Sequence, residues 1–458
     1  MNKPAFQKIV SGALAAAIGI GPVSAVDRLP TPSLPEAYSM AEQMKGPRSA
    51  EGDLKGWWRQ FNDPKLDSLI DRALAGNLDL KIAQERIREA RATRSYTSAT
   101  RQLPQTGVSG GFTDRSTTGG LFQTGFDTVF ELDLFGGARS SVRAAEADAQ
   151  AIEESLKDVN VTVAAETAVA YLQLRQAQER LALSRQTIKA LEDSLHLVDV
   201  RRAAGLTSEF DTVRAQAQVE TTRAGIPLLE AQEQRSINAL AVLLGQEPTN
   251  LRTELAGSGT LPVAPPEVPI GLPSDLLRRR PDIRVAEKQV AGAAARVGVA
   301  VSNLYPKFSL TTGGGGQSSV LSSILSGATR LFSFGASFSW GLLNYPATKA
   351  NINVAKSREQ QSLITYERTI LTALQEVEDA LANYVKEKER QASLVKAMEA
   401  NQDALQLATV RYESGLSSYL DVLDAQRSLY SSQDALVQHR ANLPTHLVAL
   451  YKALGGGW

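Results

Sequence analysis

The 458-residue chain balances 49 basic against 49 acidic side chains, which leaves no electrostatic footprint for nucleic acid and no acidic tail. It has no cysteine, which excludes disulfides, thiolate nucleophiles and cysteine-built metal sites. The three histidines, His196, His439 and His446, form no ligand pair at helical spacing, so neither a metal nor another cofactor is expected, and the length predicts more than one structural unit.

The first 25 residues carry Lys3 and Lys8, an apolar run from Ile9 to Ile20, breakers at Gly21 and Pro22, then Val23-Ser24-Ala25. That order is the one of a secretory signal, predicted to be cleaved after about Ala25. The apolar run is short of the roughly 20 residues a membrane span needs. No later stretch reads as a transmembrane helix, so any membrane insertion of the exported chain must use strands.

Residues 26–65 read as an N-terminal equatorial segment, set near the middle of the long helical rods that follow. A helix is then expected over 77–103, followed by strands near 105–114 and 124–134. From 138 to 204 there is neither Gly nor Pro, and the same holds from 347 to 414. Both stretches are rich in strong helix formers, with apolar residues at three- and four-residue steps such as Val163, Ala164, Thr167, Ala170, Tyr171 and Leu174. At about 1.5 Å per residue each would reach roughly 100 Å. A turn and a return helix over 208–245 close the first half, and the shorter helices placed end to end match the long one in length. After a Pro/Gly-rich equatorial linker over 247–273 the order recurs, with a helix, strands near 306–316 and 331–342, the long helix 347–414 and a return helix over 418–454. Residues 66–246 and 274–458 therefore read as two repeats.

The clearest trace of that repeat is "VRRAAGLTSEFDTVRAQ" at 200–216 against "VRYESGLSSYLDVLDAQ" at 410–426. Gly205 and Gly415 suit the left-handed cap of a helix end. Arg201 and Arg411 suit the negative end of its dipole, and Ser208-x-x-Asp211 and Ser418-x-x-Asp421 resemble capping boxes. Each phrase is a helical hairpin tip.

Strand four alternates Phe332, Phe334, Ala336, Phe338, Trp340 and Leu342 with Ser333, Gly335, Ser337, Ser339 and Gly341. Strand two alternates Phe126, Thr128, Phe130, Leu132 and Leu134 with Asp127, Val129, Glu131 and Asp133. An aromatic face opposite a polar or tiny one suits strands between lipid and water. Phe126, Phe130, Leu132, Phe332, Phe334, Phe338 and Trp340 are the residues expected to face lipid. Four strands cannot close a barrel, and open sheet edges are not tolerated in lipid, so strands must be pooled between chains; three chains would supply twelve.

Five motifs, in this order, resemble the TolC-like outer-membrane efflux channels, in the branch that serves resistance-nodulation-division drug pumps. They are "WWRQFNDPKLDSLI" (57–70), "FELDLFG" (130–136), "LLRRRPDIRVAE" (276–287), "RYESGLSSYLDVLDAQRSLY" (411–430) and "LYKALGGGW" (450–458). The resemblance covers nearly all of the mature chain. It implies an α plus transmembrane β fold: a homotrimer with a shared 12-stranded outer-membrane β-barrel continuing into a long periplasmic α-helical barrel. It implies a periplasmic adaptor (membrane fusion) protein and an inner-membrane pump as partners, outer-membrane lipid around the barrel, and export of small molecules such as drugs. It further implies adaptor docking at Gly205, Leu206, Gly415 and Leu416, and a periplasmic gate at Tyr412, Leu420, Asp424 and Arg427. Many members carry a lipidated cysteine after the signal; this sequence has none. A conduit for type I protein secretion and a soluble periplasmic coiled-coil adaptor are the alternatives. An enzyme is disfavoured, since neither G-x-S-x-G nor H-E-x-x-H occurs and "GGGG" at 313–316 lacks the Gly-Lys-Ser/Thr of a phosphate loop.

Overall fold

The structure is a computed structural model that describes residues 34–40, 54–115, 119–257, 259–265, 272–324 and 330–458. The signal segment and most of 26–65 lie outside the described residues. The elements in order are a 3-10 turn at Trp57–Phe61, α1 (Pro64–Gly76), α2 (Leu78–Gln102), β1 (Gln105–Arg115), β2 (Gly119–Leu132), α3 (Gly137–Ala203), α4 (Glu209–Arg223), α5 (Ile226–Leu243), α6 (Pro248–Leu255), α7 (Leu276–Arg279), α8 (Pro281–Ser302), β3 (Lys307–Ser318), β4 (Arg330–Ser339), α9 (Tyr345–Glu413) and α10 (Tyr419–Ala453). The long helices α3 and α9 have 67 and 69 residues. Among the described residues no helix is long and apolar enough to cross a membrane.

The chain divides into two compact units, and each long helix contributes to both. The first holds Gln84–Ser155 and Asp282–Thr369, and its centre is a four-stranded antiparallel sheet in chain order, β1-β2-β3-β4. Because paired residues share a face, the register sorts the sheet into rows. Val108, Phe126, Gly314 and Phe332 make one row, Thr106, Thr128, Thr312 and Phe334 the next, and Leu132, Phe308 and Phe338 a third. On the opposite face Gly107, Asp127, Gly313 and Ser333 align, as do Glu131, Ser309 and Ser337. Phe126, Phe332, Phe334 and Phe338 stand exposed on the single chain, while Phe130 and Leu132 are half-buried.

Both second strands stop earlier than their alternation suggested. β2 ends at Leu132 because the Asp133 carboxylate turns to cap α3, accepting from the backbone N–H of Ala138 at 3.1 Å and Arg139 at 3.0 Å. β4 ends at Ser339, so Trp340 lies one residue beyond the strand. Its indole N–H donates to the Leu304 carbonyl at 3.0 Å, and a 3-10 turn over Leu342–Asn344 leads into α9. In the same unit α3 and α8 approach closely: a Cβ on Gly137 would stand 2.5 Å from Ser302 Oγ, and one on Gly298 2.8 Å from Ser140 Oγ.

The second unit holds Leu156–Pro281, Ile370–Trp458 and the described part of Ser33–Ala83. One core gathers three of the sequence motifs. Trp57 stacks on Tyr451 with ring centroids 5.2 Å apart, and the Tyr451 hydroxyl donates to Gln60 Oε1 at 2.6 Å. Arg280 donates to the Ala453 carbonyl at 2.9 Å and pairs with Glu376 at 2.7 Å. The Trp458 indole N–H reaches the Arg279 carbonyl at 3.1 Å.

One expectation changes in this unit. The return helix over 208–245 is not continuous but splits into α4 and α5 at Ala224 and Gly225. Pro227 has no N–H for the Arg223 carbonyl and Gly225 weakens the turn before it, so the Gly225 N–H bonds one residue tighter, to Thr222 O at 3.1 Å. The linker 247–273 carries one helix, α6, which starts with Pro248 in its first turn and buries Leu251 and Leu255. Lys65 at 2.6 Å and Arg72 at 2.8 Å both reach Glu254 on this helix. The hydrogen bond from Lys65, ahead of that from Arg72, holds the Glu254 carboxyl below the usual range.

Candidate functional site at the paired hairpin tips

Both long helices end in the same backbone device within the second unit. At the first tip Gly205 has φ +71°, its N–H bonds Arg202 O at 2.9 Å, and the Leu206 N–H bonds Arg201 O at 2.9 Å. At the second Gly415 has φ +73°, its N–H bonds Tyr412 O at 3.0 Å, and the Leu416 N–H bonds Arg411 O at 2.8 Å. This paired bonding is a Schellman cap. It leaves Leu206 65 % and Leu416 71 % exposed at the turning points of the chain.

The helices that follow are capped from their own first turns. Ser208 Oγ accepts from the Asp211 N–H and Asp211 Oδ2 accepts from the Ser208 N–H, each at 3.4 Å, and Thr207 Oγ1 donates to the same carboxylate at 2.8 Å. Burial raises the Asp211 pKa, but the hydroxyl and backbone donors outweigh it, and the net shift is downward. At the second tip Asp421 Oδ2 accepts from the Ser418 N–H at 3.1 Å.

A buried cluster of Val198, Ala215, Tyr412, Tyr419, Val422 and Leu423 joins the two tips. Tyr412 is 5 % exposed, its ring centroid 5.6 Å from that of Tyr419. The Arg201 guanidinium lies 4.8 Å from the Tyr412 ring and donates to the Glu413 carbonyl at 2.9 Å, a cation–π contact combined with a helix-end hydrogen bond. Burial pushes the Tyr419 phenol up.

The four residues expected at a gate thus separate by environment. Tyr412 belongs to the cluster that fastens one hairpin to the other, whereas Leu420 is 40 % exposed and Asp424 and Arg427 are exposed. Among the described residues no ion pair joins Asp424 to Arg427 within the chain. Arg427 Nε instead donates to Gln218 Oε1 on α4 at 2.7 Å. Gln218 and Tyr419 were missed in the sequence, since nothing in a glutamine on a polar helix face marks the arginine it accepts from 209 residues away. Among the described residues no group of three or more His, Cys, Asp or Glu could hold a metal ion.

Above the tips α10 carries further polar ties. Tyr430 and Ser184 place their hydroxyls 3.0 Å apart. Arg180 on α3 meets Asp434 side-on, Nε to Oδ1 at 2.7 Å and Nη2 to Oδ2 at 3.1 Å. His439 Nδ1 lies 2.9 Å from Glu387 Oε1 on α9.

Known proteins resemble this chain in sequence and in fold. The sequence model of the family described as outer membrane efflux protein matches residues 69–246 and 272–456. The chain is 33 % identical over 471 residues to outer membrane protein OprJ of Pseudomonas aeruginosa, covering 100 % of this chain and 97 % of that protein. It is 36 % identical over 412 residues to the solvent efflux pump outer membrane protein SrpC of Pseudomonas putida, covering 87 % and 86 %. The solved outer-membrane channel OprN superposes with a TM-score of 0.87 at 35 % identity, covering 95 % of this chain and 100 % of that one. The chain is not an enzyme but an outer-membrane channel protein, and it belongs to the outer membrane efflux protein family.

Proposed function

We propose that the chain is the exit duct of a tripartite efflux system, passing small molecules from a resistance-nodulation-division pump of the inner membrane and a periplasmic adaptor to the cell exterior. Three copies pool their sheets into a 12-stranded barrel in the outer membrane, with Phe126, Phe130, Leu132, Phe332, Phe334 and Phe338 toward lipid and Trp340 at its border. The α-helical part extends into the periplasm, and the signal is removed after about Ala25. One observation carries the reading: a sheet with an aromatic face and a polar or glycine face, open at β1 and β4, is joined to helices of 67 and 69 residues. Such a sheet is unfinished alone, because backbone groups at an open edge find no partner in lipid. SrpC is the outer membrane protein of a solvent efflux pump, which supports small apolar molecules as cargo.

The exposed Gly205-Leu206 and Gly415-Leu416 turns offer apolar side chains on rigid caps for the adaptor. Leu420, Asp424 and Arg427 narrow the periplasmic end, with Tyr412 fixing the helix that carries them. Conductance of the purified protein in planar bilayers tests this. The Asp424→Ala, Arg427→Ala double variant is expected to raise conductance severalfold over the parent channel. No pore from the parent protein overturns the channel reading, and an unchanged double variant overturns the gate.

A further inference from the structure

The turns that join the sheet to its helices, all within the first unit, bring together an apolar groove and positive charge. Two residues on from Phe338 of the aromatic rows, Trp340 donates its N–H to the Leu304 carbonyl. The polar edge of the indole is thus satisfied inside the protein while the side chain stays 46 % exposed. Beside it a groove of about 220 Å³ runs between the end of α8 and the start of α9, walled by Leu304, Tyr305, Trp340, Leu342 and Tyr345. Thr348 also lines it, its hydroxyl taken up by the Asn344 carbonyl at 3.2 Å. Leu343, next in the chain to a groove residue, is 94 % exposed.

The helix turns beside this groove carry uncompensated charge of one sign. Asp133, Glu146 and Asp148 are taken up by Arg139, Arg94 and Arg296. Arg101 in the last turn of α2, Arg143 in the second turn of α3 and Lys349 in the second turn of α9 are exposed, and among the described residues none of them is in an ion pair. Lys349 is four residues past Tyr345, so the two share a helix face, with the lysine about 6 Å further from the sheet.

We propose that this junction binds a phospholipid of the periplasmic leaflet: a segment of one acyl chain lies in the groove beside Trp340, and the Lys349 ammonium pairs with the lipid phosphate. The inference rests on the proposed barrel with its aromatic rows toward lipid. The groove continues those rows past the end of β4, so the lipid that wets the rows reaches it. It is smaller than the roughly 300–1,000 Å³ of pockets for compact ligands, which suits a chain segment. Trp and Tyr rings settle at the border of membrane and water, and a lysine one turn beyond lays its stem along apolar surface and holds its charge at the phosphate. A second copy fits the groove less well. It would arrive with the end of α2 beside the open edge of β1, and the last two turns of α2 hold Arg101 and no carboxylate, so like charge would face Lys349.

Lipid retained by the full chain in mild detergent, measured by mass spectrometry after incubation with dioleoylphosphatidylglycerol or with dioleoylglycerol, which lacks the phosphate, tests the site. The parent is expected to retain the phospholipid in preference. Lys349→Gln should lower its retention about two- to fivefold, the range of an exposed ion pair, and Lys349→Arg should keep it. Thr348→Trp, which fills the groove, should lower retention of both lipids. Equal retention of the two lipids by the parent, or of the phospholipid by parent and Thr348→Trp, overturns the proposal. A photo-crosslinking residue at position 343 is expected to yield a lipid adduct, and a product of two joined chains overturns the proposal in favour of a second copy. Bilayer conductance of the same preparations should be alike for the parent, Lys349→Gln and Thr348→Trp, which shows that the variants fold. Pores with lipid retention unaltered across the set remove the lipid site and leave the channel; a parent without pores removes the channel reading and the site with it.

Discussion

Gly205 and Gly415 need to be glycine for one reason, Gly315 for another. A Cβ on either tip glycine would meet nothing within 4 Å, so only the positive φ excludes a side chain. A left-handed L-residue costs about 1–2 kcal/mol, and Gly205→Ala or Gly415→Ala should lower stability by about that much without disturbing a neighbour. At Gly315 the backbone is extended, but an added Cβ would stand 2.2 Å from the Thr124 carbonyl oxygen, which belongs to the adjacent strand and cannot rotate away. Gly315→Ala must therefore push β2 from β3 and should be the more damaging change. Thermal unfolding in detergent checks both. A neutral Gly315→Ala beside a severe Gly415→Ala would reverse the assignment. The tip glycines were legible because two copies of one phrase agreed at both. The crowding at Gly315 was not, since it depends on which residue of a partner strand lies opposite.

At the scale of elements, what is repeated locally could be read and what is decided at a distance could not. The long helices announce themselves by their freedom from Gly and Pro. In α3 the stripe Val163, Ala164, Thr167, Ala170, Tyr171 and Leu174 is buried throughout. The break between α4 and α5 had its sign in Gly225 and Pro227, yet α10 runs unbroken through Pro444, so a proline in the sequence does not by itself decide. Here the burial of Leu447 and Val448 just past Pro444 holds the helix line, whereas Pro227 sits in the first turn of α5 with no such anchor at hand. Tyr412 shows the same limit: its burial at the joint between the hairpins depends on residues more than 200 positions away. The faces of the sheet can be separated by experiment. Phe334→Arg places a charge in the aromatic rows, at a cost of about 2–4 kcal/mol if the residue lies at the bilayer midplane. Ser333→Arg, one residue away on the polar face, should cost far less. Outer-membrane fractions are expected to lose the first variant and keep the second, and the reverse order would mean the faces are exchanged.

For the whole molecule the unpaired edges set the constraint. Among the described residues β1 has a partner only in β2, and β4 only in β3, so each chain has two open sheet edges. Outer-membrane barrels begin at about eight strands, which two chains could supply and three would exceed. The arrangement we propose takes three, whose two helix sets per chain would make a ring of approximate sixfold symmetry. Mass measurement of the protein extracted in mild detergent from isolated outer membranes decides between them. A complex of three processed chains is the expected outcome, and one of two chains would demand an eight-stranded barrel. The same measurement on Val108→Pro probes the edge itself, since a proline removes one backbone donor from β1. Val108 is paired to Phe126 within the chain, so the loss weakens either that pairing or the pairing between copies. A trimer that falls to monomers while each chain keeps its helix content assigns the lost bond to the seam between copies; loss of the fold itself assigns it to the β1–β2 hairpin.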